Sequence, residues 1–203
     1  MKHGVRVDVI NLGDELLLGL RDNGHLSYLG RELKRHGLEI RRNFVVRDNA
    51  EDIQQVFKNA WEDADIVITT GGLGPTSDDL TREIIAKALG VKLEFVDSVR
   101  VELEARFARL GRTVTANNLK QCYVLDGAEA LPNPNGTAPG ILFKQDGKLL
   151  IMLPGPGNEL RPMFERDVLP RLQEENFFAL EEQYLQLRSF GVGESLLENK
   201  LRP

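Results

Sequence analysis

The stretch Ile66-Val67-Ile68-Thr69-Thr70-Gly71-Gly72-Leu73-Gly74 decides the fold class of this chain. Its first half is a predominantly apolar run between charged residues, which is typical of a strand covered on both faces. The glycines end that strand, and apolar residues at helical spacing begin again at Leu80. The stretch therefore predicts the strand–loop–helix unit of an α/β protein.

The alternation of strands and helices extends to both sides of this stretch. Strands are predicted at residues 5–12 and 39–46, and a helix at 50–64, where apolar residues recur with the period of a helix. Further helices are predicted around residues 26–33, 80–89 and 99–110, ending at Gly37, Gly90 and Gly111. This order predicts a mostly parallel sheet with helices on both faces.

The later part of the chain adds an antiparallel element and a tail. Residues 141–144 and 148–153 flank Asp146-Gly147, which is a strong signal for a two-residue hairpin turn. A long helix follows around residues 160–172. The tail predicts a strand at 183–190 and a helix starting near Ser195. We expect one domain at residues 1–175, and a linker with the start of a further, truncated domain at 176–203.

Composition excludes several classes of protein. The 203 residues carry a formal net charge of −5 and only 6% aromatic residues, so a nucleic-acid coat or a stacking platform for single strands is not expected. The single cysteine, Cys122, excludes an internal disulfide framework and cysteine-rich zinc sites. No apolar run reaches the ~18 residues of a membrane span, and no signal peptide is visible. We expect a cytoplasmic protein without a membrane partner.

Three loops follow predicted parallel strands, where the ligand sites of α/β sheets lie. They are residues 11–15, 69–81 and 153–159. The glycines of the second loop allow close approach of a phosphate to the backbone. Asp78 and Asp79 stand beside it, and two unit charges 4 Å apart repel by ~4 kcal/mol at an effective dielectric constant of about 20. Either no phosphate lies beside them, or a divalent cation bridges the two.

A simpler interpretation of the second loop stays open. The glycines form only a tight turn, and Asp78 or Asp79 caps the following helix. The loop has neither the Gly-Lys-Ser/Thr ending of a nucleotide-binding P-loop nor the dinucleotide-binding fingerprint. The three histidines show no metal-binding spacing, and only His25 lies near a candidate site.

Five motifs in order resemble one family. They are GDELLLG (13–19), TGGLGPTSDDLT (70–81), NNLKQ (117–121), LPNPNGTAPG (131–140) and LPGPGNE (153–159). Together they resemble the N-terminal domain of the competence/damage-inducible CinA family, which is similar to the molybdopterin-binding domain of molybdenum cofactor biosynthesis. The resemblance covers about residues 5–175. It implies a three-layer α/β/α fold, metal-dependent hydrolysis of ADP-ribose to AMP and ribose 5-phosphate, and a homo-oligomer, either a dimer or a trimer.

Two positions bear on the branch of the family. The molybdopterin branch usually has Gly-Gly-Thr-Gly in the glycine loop, whereas Leu73 occupies the threonine position here. This favours the CinA branch. Residues 21–25 depart from the Asn-Thr-Asn-like run that is common in the family. Many CinA proteins also carry a nicotinamide-mononucleotide deamidase domain, which this chain lacks, so deamidation is not assigned.

The resemblance also implies the site residues. Asp48 and Asp79 are the candidate catalytic residues, and Asp78 and Asp79 would bind Mg²⁺, Mn²⁺ or Co²⁺. The candidate substrate-binding residues are Gly13, Asp14, Glu15, Gly71, Gly72, Leu73, Gly74, Thr76, Asn117, Asn118, Pro154, Gly155 and Pro156. Other interpretations stay open: Asp48 as a helix N-cap, the two asparagines as loop-bonding residues, and the Pro-Gly-Pro loop as a strand end.

Three hypotheses of function follow. The first is a metal-dependent pyrophosphatase acting on ADP-ribose or a related nucleotide. The second is molybdopterin binding or adenylylation in the same pocket, so the partner is a small nucleotide or a pterin. The third is a non-catalytic binding or oligomerisation module of a longer protein.

Overall fold

The computed structural model describes residues 4–178 and 190–201, and its main sheet has six strands in the order β2-β1-β3-β8-β7-β6. The strands are β1 (Val7–Leu12), β2 (Ile40–Val46), β3 (Ile66–Thr70), β6 (Glu129–Leu131), β7 (Gly140–Gln145) and β8 (Lys148–Leu153). Strands β2, β1, β3 and β8 run parallel, and β7 is antiparallel to both of its neighbours. The predicted mostly parallel sheet with a late antiparallel hairpin is confirmed.

Helices cover both faces of the sheet. They are α1 (Asp14–Leu17), α2 (Gly24–Arg35), α3 (Ala50–Asp63), α4 (Thr81–Leu89), α5 (Asp97–Arg109), α6 (Ala116–Leu119), α7 (Gly157–Met163), α8 (Leu169–Glu174) and α9 (Glu194–Leu201). A π-helical turn at Phe164–Val168 joins α7 to α8, so these segments form one long helix. A short 3₁₀ turn, Lys120–Cys122, follows α6. No helix in the described part of the chain is long and apolar enough to span a bilayer.

Alternating side chains of each central strand enter two separate cores. On β3, Val67 packs with α3 and α4 on one face, whereas Ile66 and Ile68 pack with α2 and α7 on the other. All five residues of β3 are buried, as the apolar run predicts for a strand covered on both faces. The result is the three-layer α/β/α arrangement expected from the resemblance.

The predicted hairpin turn has the geometry that its residues favour. Asp146 has φ of 53° and Gly147 has φ of 76°. Positive φ at both central residues is the signature of a type I′ turn, which matches the twist of the flanking strands. Asp-Gly therefore fixes the register of β7 on β8.

Several short elements were not predicted. Strands β4 (Leu93–Phe95) and β5 (Tyr123–Leu125) pair as a separate antiparallel sheet, and β6 extends the main one. Three-residue strands are too short to show a period of two. Helix α1 was not predicted either, and Asp14 begins it inside the first predicted loop, residues 11–15.

The tail is only partly described. Nearly all of the predicted strand 183–190, and most of the predicted linker, lie outside the described residues. The helix expected near Ser195 is present as α9, and none of its residues is buried. The division into 1–175 and 176–203 stays a prediction. Cys122, the single cysteine, is fully buried beneath α5.

Candidate functional site

The three predicted loops meet at the carboxyl edge of β1, β3 and β8, where they enclose a cavity of about 530 Å³. Gly13 and Glu15 line it after β1, the stretch 71–75 after β3, and the stretch 154–157 after β8. The loops also touch one another: a Cβ on Gly155 would lie 3.6 Å from Cα of Gly71. A cavity of this size is in the range of small-molecule sites.

The glycine loop has a backbone that other residues could not adopt. Gly71 has φ of +97°, and a Cβ there would lie 2.6 Å from the carbonyl oxygen of Leu12. Gly72 has φ of +66°, and its Cβ would lie 1.9 Å from Oγ1 of Thr81. Both positions therefore need glycine for conformation and for space.

The loop leaves three consecutive backbone donors free. The N–H of Gly71 donates to the carbonyl of Leu153 at 3.0 Å, so it is not available to a ligand, contrary to the expectation for that residue. The N–H groups of Gly72, Leu73 and Gly74 have no partner within residues 4–178 and 190–201. Successive free N–H groups form the kind of concavity that binds anions.

Leu73 faces away from the cavity. Its side chain is only 1% exposed and belongs to the apolar core under α3 and α4. Only the backbone of Leu73 is therefore available to contact a ligand. The leucine that distinguishes this loop from Gly-Gly-Thr-Gly acts through packing.

Asp79 fastens the loop and does not cap α4. Its Oδ2 accepts hydrogen bonds from the Thr76 N–H at 2.9 Å and from the Thr76 hydroxyl. Leu80, which precedes α4, makes no side-chain cap bond. The interpretation of Asp78 or Asp79 as the helix cap is wrong, because the carboxylate of Asp79 turns back toward Thr76 and Asp78 is exposed.

Lys120 also stabilises the loop that follows β3. Its ammonium donates to the carbonyl oxygens of Thr76 and Asp79 and lies 3.6 Å from Glu83. Residue-by-residue reasoning did not single out this lysine, although it lies in the NNLKQ motif. A lysine that contacts carbonyls from a distant segment leaves no periodic signal in the sequence.

Asp48 and Asp14 form a reciprocal pair at the cavity rim. The N–H of each donates to the carboxylate of the other at 3.3 Å. Burial raises the pKa of Asp48, and the nearby charges of Asp14, Glu15 and Asp78 raise it further. The N-cap of α3 is instead Asn49, whose side chain accepts from the Asp52 N–H at 2.9 Å. The N-cap interpretation of Asp48 is therefore wrong.

Four of the predicted substrate contacts, Asp14, Thr76, Asn117 and Asn118, do not line the cavity. Asn118 accepts from the N–H and hydroxyl of Thr115, which closes the first turn of α6, and Asn117 is exposed. The loop-bonding interpretation therefore holds for Asn118. Thr76 is also exposed and is occupied with Asp79. Asp14 reaches the site through Asp48, whereas Pro154, Gly155 and Pro156 line the cavity as predicted.

The structure adds residues that were not among the sequence-predicted site residues. Gln121 and Thr137 line the cavity, and Gln121 Nε2 donates to Thr137 Oγ1 at 3.1 Å. The additional charged groups in the lining are Arg21, Asp22, Glu159 and Arg161, and His25, which the sequence placed near a candidate site, lines it as well. Gln121, Thr137 and Glu159 fall inside the quoted motifs, whereas nothing in the sequence marks Arg161.

The carboxylates of the cavity suit a metal ion whose coordination shell is completed by oxygen atoms of a bound ligand. No group of three or more His, Cys, Asp or Glu side chains is placed to hold a metal by itself among the described residues. Asp48, Asp78 and Asp79 nevertheless line one cavity and supply hard oxygen atoms. Mg²⁺ is commonly bound by one or two carboxylates together with substrate phosphates. The donor set fits such a cation, provided that phosphate oxygens supply the remaining positions.

Comparison with known proteins gives the family. Residues 8–174 match the family described as "Probable molybdopterin binding domain". The chain is 40% identical over 199 residues to a "Putative competence-damage inducible protein" of Thermoanaerobacter pseudethanolicus, and 44% identical over 197 residues to one of Symbiobacterium thermophilum. These alignments cover 98% and 96% of this chain but only 48% and 46% of the relatives. The chain thus spans about half the length of the curated relatives it matches.

Solved structures agree with this assignment. The crystal structure of the protein CinA, of unknown function, from Thermoplasma acidophilum is 32% identical with a TM-score of 0.75, covering 86% of this chain and 99% of that one. The molybdopterin biosynthesis enzyme MoaB from Thermus thermophilus is 22% identical with a TM-score of 0.53, covering 84% and 92%. The second likeness shows a shared fold.

Proposed function

This chain belongs to the CinA family, with its probable molybdopterin binding domain, and from that premise we propose that the cavity hydrolyses the pyrophosphate of a nucleotide. ADP-ribose, which gives AMP and ribose 5-phosphate, is the substrate that the family resemblance implies. A divalent cation, Mg²⁺, Mn²⁺ or Co²⁺, is the proposed cofactor.

One observation carries this proposal: free backbone donors and carboxylates meet in the same cavity. The N–H groups of Gly72, Leu73 and Gly74 favour a phosphate. Asp48 and Asp78 line the cavity as well and would repel an unshielded phosphate. A divalent cation held by these carboxylates would offset that repulsion, as metal ions do in metal-assisted phosphoryl chemistry.

Each part of the loop has a role in this proposal. The three N–H groups donate to phosphoryl oxygens, and Asp79 and Lys120 keep the loop in the conformation that presents them. Asp48 and Asp78, with Asp79, would hold the metal. When bound, the metal would polarise the phosphoryl oxygen and lower the pKa of a bound water. Pro154 and Pro156, with Ala138, give the cavity an apolar side for a heterocycle.

A pterin is the second candidate ligand. The matched family and the likeness to the fold of MoaB favour molybdopterin binding or adenylylation at the same cavity. Co-purified pterin fluorescence, or ATP-dependent transfer of AMP to molybdopterin, would support this candidate. Turnover of ADP-ribose without pterin binding would remove it.

The test of the proposed function is direct. The protein is incubated with ADP-ribose and Mg²⁺, Mn²⁺ or Co²⁺, and AMP is followed by chromatography. We expect AMP above a no-enzyme blank with at least one metal. No AMP with any of the three removes the hydrolase. No AMP and no pterin binding together leave the third hypothesis, a non-catalytic module of a longer protein.

A further inference from the structure

Two nitrogen-bearing side chains, His25 and Arg161, approach Gly157 on one side of the cavity. The point at which a Cβ of Gly157 would lie is 3.8 Å from Cε1 of His25 and 3.9 Å from Nε of Arg161. The imidazole of α2 and the guanidinium of α7 therefore both approach the same point beside Gly157. Arg21, just before α2, lines the same cavity.

Neither arginine has a carboxylate partner in the part of the chain that the structure describes. Arg161 lies over the ring of Tyr28, 5.1 Å from its centroid, and Arg21 makes no ion pair. Other arginines of this protein do pair: Arg6 lies 2.8 Å from Asp65, and Arg171 lies 2.7 Å from Glu129. The two cavity arginines thus keep their charge and their donors for a ligand.

The cavity lining carries charges of both signs. The loops after β1, β2 and β3 supply Glu15, Asp48 and Asp78, whereas Arg21 and His25 lie at the start of α2 and Arg161 in the last turn of α7. Once the pyrophosphate is cleaved, the phosphate that leaves the metal-binding carboxylates needs a counter-charge of its own. Arginine forms two parallel bonds to a phosphate, and a protonated imidazole adds a third donor.

We propose that His25 and Arg161, with Arg21, form an anion subsite that binds a phosphate monoester group of the ligand, distinct from the phosphate bound by the glycine loop. This inference rests on the proposed function for the identity of the ligand, because hydrolysis of ADP-ribose leaves such a group on ribose 5-phosphate. The subsite itself is present in the free protein. Binding of a simple anion such as inorganic phosphate therefore tests it without the proposed reaction.

The surroundings of His25 supply an independent readout. Burial lowers the pKa of His25, and the charge of Arg161 lowers it further. Glu15 and a hydrogen bond to the backbone of Gly155 act in the opposite direction. The other charged groups of the lining on this side are Arg21, Asp22 and Glu159. A dianion between His25 and Arg161 favours the protonated imidazole, so binding raises the pKa of His25.

The experiment measures binding of inorganic phosphate by calorimetry to the wild type, Arg161→Gln, Arg161→Lys and His25→Asn. Arg109→Gln is the matched control, because Arg109 is exposed, has no carboxylate partner among the described residues and lies outside this cavity. We expect Arg161→Gln to weaken binding ~10-fold, the loss of one charge-assisted bond. Arg161→Lys keeps part of the affinity, and Arg109→Gln matches the wild type.

The second arm follows the imidazole by NMR. Sulfate is the probe, because it stays a dianion across the titration, and His25→Asn assigns the resonance. We expect saturating sulfate to raise the pKa of His25 in the wild type, and to raise it less in Arg161→Gln. Melting curves confirm that each variant is folded.

The outcomes separate this inference from the proposed function. Two results would overturn the subsite, whatever the AMP assay shows. One is equal phosphate affinity in the wild type, Arg161→Gln and His25→Asn. The other is a pKa of His25 that does not change when sulfate is added. Weakened binding in both variants without AMP formation supports the subsite and removes the reaction.

Discussion

Asp79 couples the conformation of the glycine loop to the charge of the site. Its carboxylate accepts two hydrogen bonds from Thr76 and lines the cavity. Asp79→Asn keeps an acceptor for the Thr76 N–H and removes the charge. We expect turnover of ADP-ribose to fall ~10²-fold or more, about 3 kcal/mol of transition-state stabilisation, with little change in melting temperature.

The matched control for this variant is Asp97→Asn. Asp97 is an exposed carboxylate that pairs with Arg100 on α5, outside the cavity. The same chemical change there should leave turnover at the wild-type level. Wild-type turnover in Asp79→Asn would remove Asp79 from the catalytic site.

Replacing Asp48 should change stability and activity in opposite directions. Its pKa is raised in the fold by burial and by neighbouring carboxylates. Such a group favours the folded state when protonated, so its contribution is lost as the pH rises through the folded pKa. At neutral pH, Asp48→Asn should therefore raise the melting temperature by ~1–3 °C while lowering turnover.

Asp97 again supplies the comparison for Asp48. Arg100 lowers the pKa of Asp97, so its charged form stabilises the fold above the ordinary pKa. Asp97→Asn should thus lower the melting temperature slightly at neutral pH, and thermal melts at pH 7 would separate the two. A drop for Asp48→Asn as large as that for Asp97→Asn would show that Asp48 is a structural residue.

Among the elements, the glycine loop depends on space as well as on backbone conformation. Gly72 and Gly90 have similar positive φ, +66° and +72°, but only at Gly72 would a Cβ collide, 1.9 Å from Thr81 Oγ1. We expect Gly90→Ala to cost ~1 kcal/mol and Gly72→Ala clearly more, ~3 kcal/mol, by chemical denaturation. Thr81→Ala should restore part of the stability of Gly72→Ala. Equal losses at the two glycines would contradict the close packing of the loop on α4.

The elements also show what the sequence could predict. Strand β3, helix α3 and the hairpin at Asp146-Gly147 follow from local patterns, because burial on both faces, a period of 3.6 and turn chemistry each leave a trace in adjacent residues. The site was only partly predictable. Lys120 and Arg161 reach the site from segments whose distance in sequence says nothing about their distance in space.

The sequence also did not reveal whether a residue would be free to contact a ligand with its side chain. Leu73 was predicted to contact substrate, yet its side chain packs into the core. Asn118 was predicted likewise, yet it closes a turn of α6. Both choices depend on three-dimensional neighbours and not on residue type.

For the whole molecule, we predict a homo-oligomer. Leu17, Leu18 and Leu20 are 50%, 70% and 73% exposed, three large apolar side chains within four residues of the chain. Exposed apolar patches commonly mark association surfaces. Light scattering at micromolar concentration should give two or three times the chain mass of 22.8 kDa. A strict monomer would contradict this prediction.

Metal-dependent hydrolysis in the cavity is tested most directly by the metal dependence of ADP-ribose turnover. The protein is treated with a chelator and desalted, and AMP and ribose 5-phosphate are measured as Mn²⁺ is added back, with a parallel series for Mg²⁺ and Co²⁺. We predict no turnover in the stripped protein, saturable recovery with at least one metal, and the two products in equal amounts. Absence of AMP at every metal concentration, or turnover that is indifferent to the chelator, would contradict it.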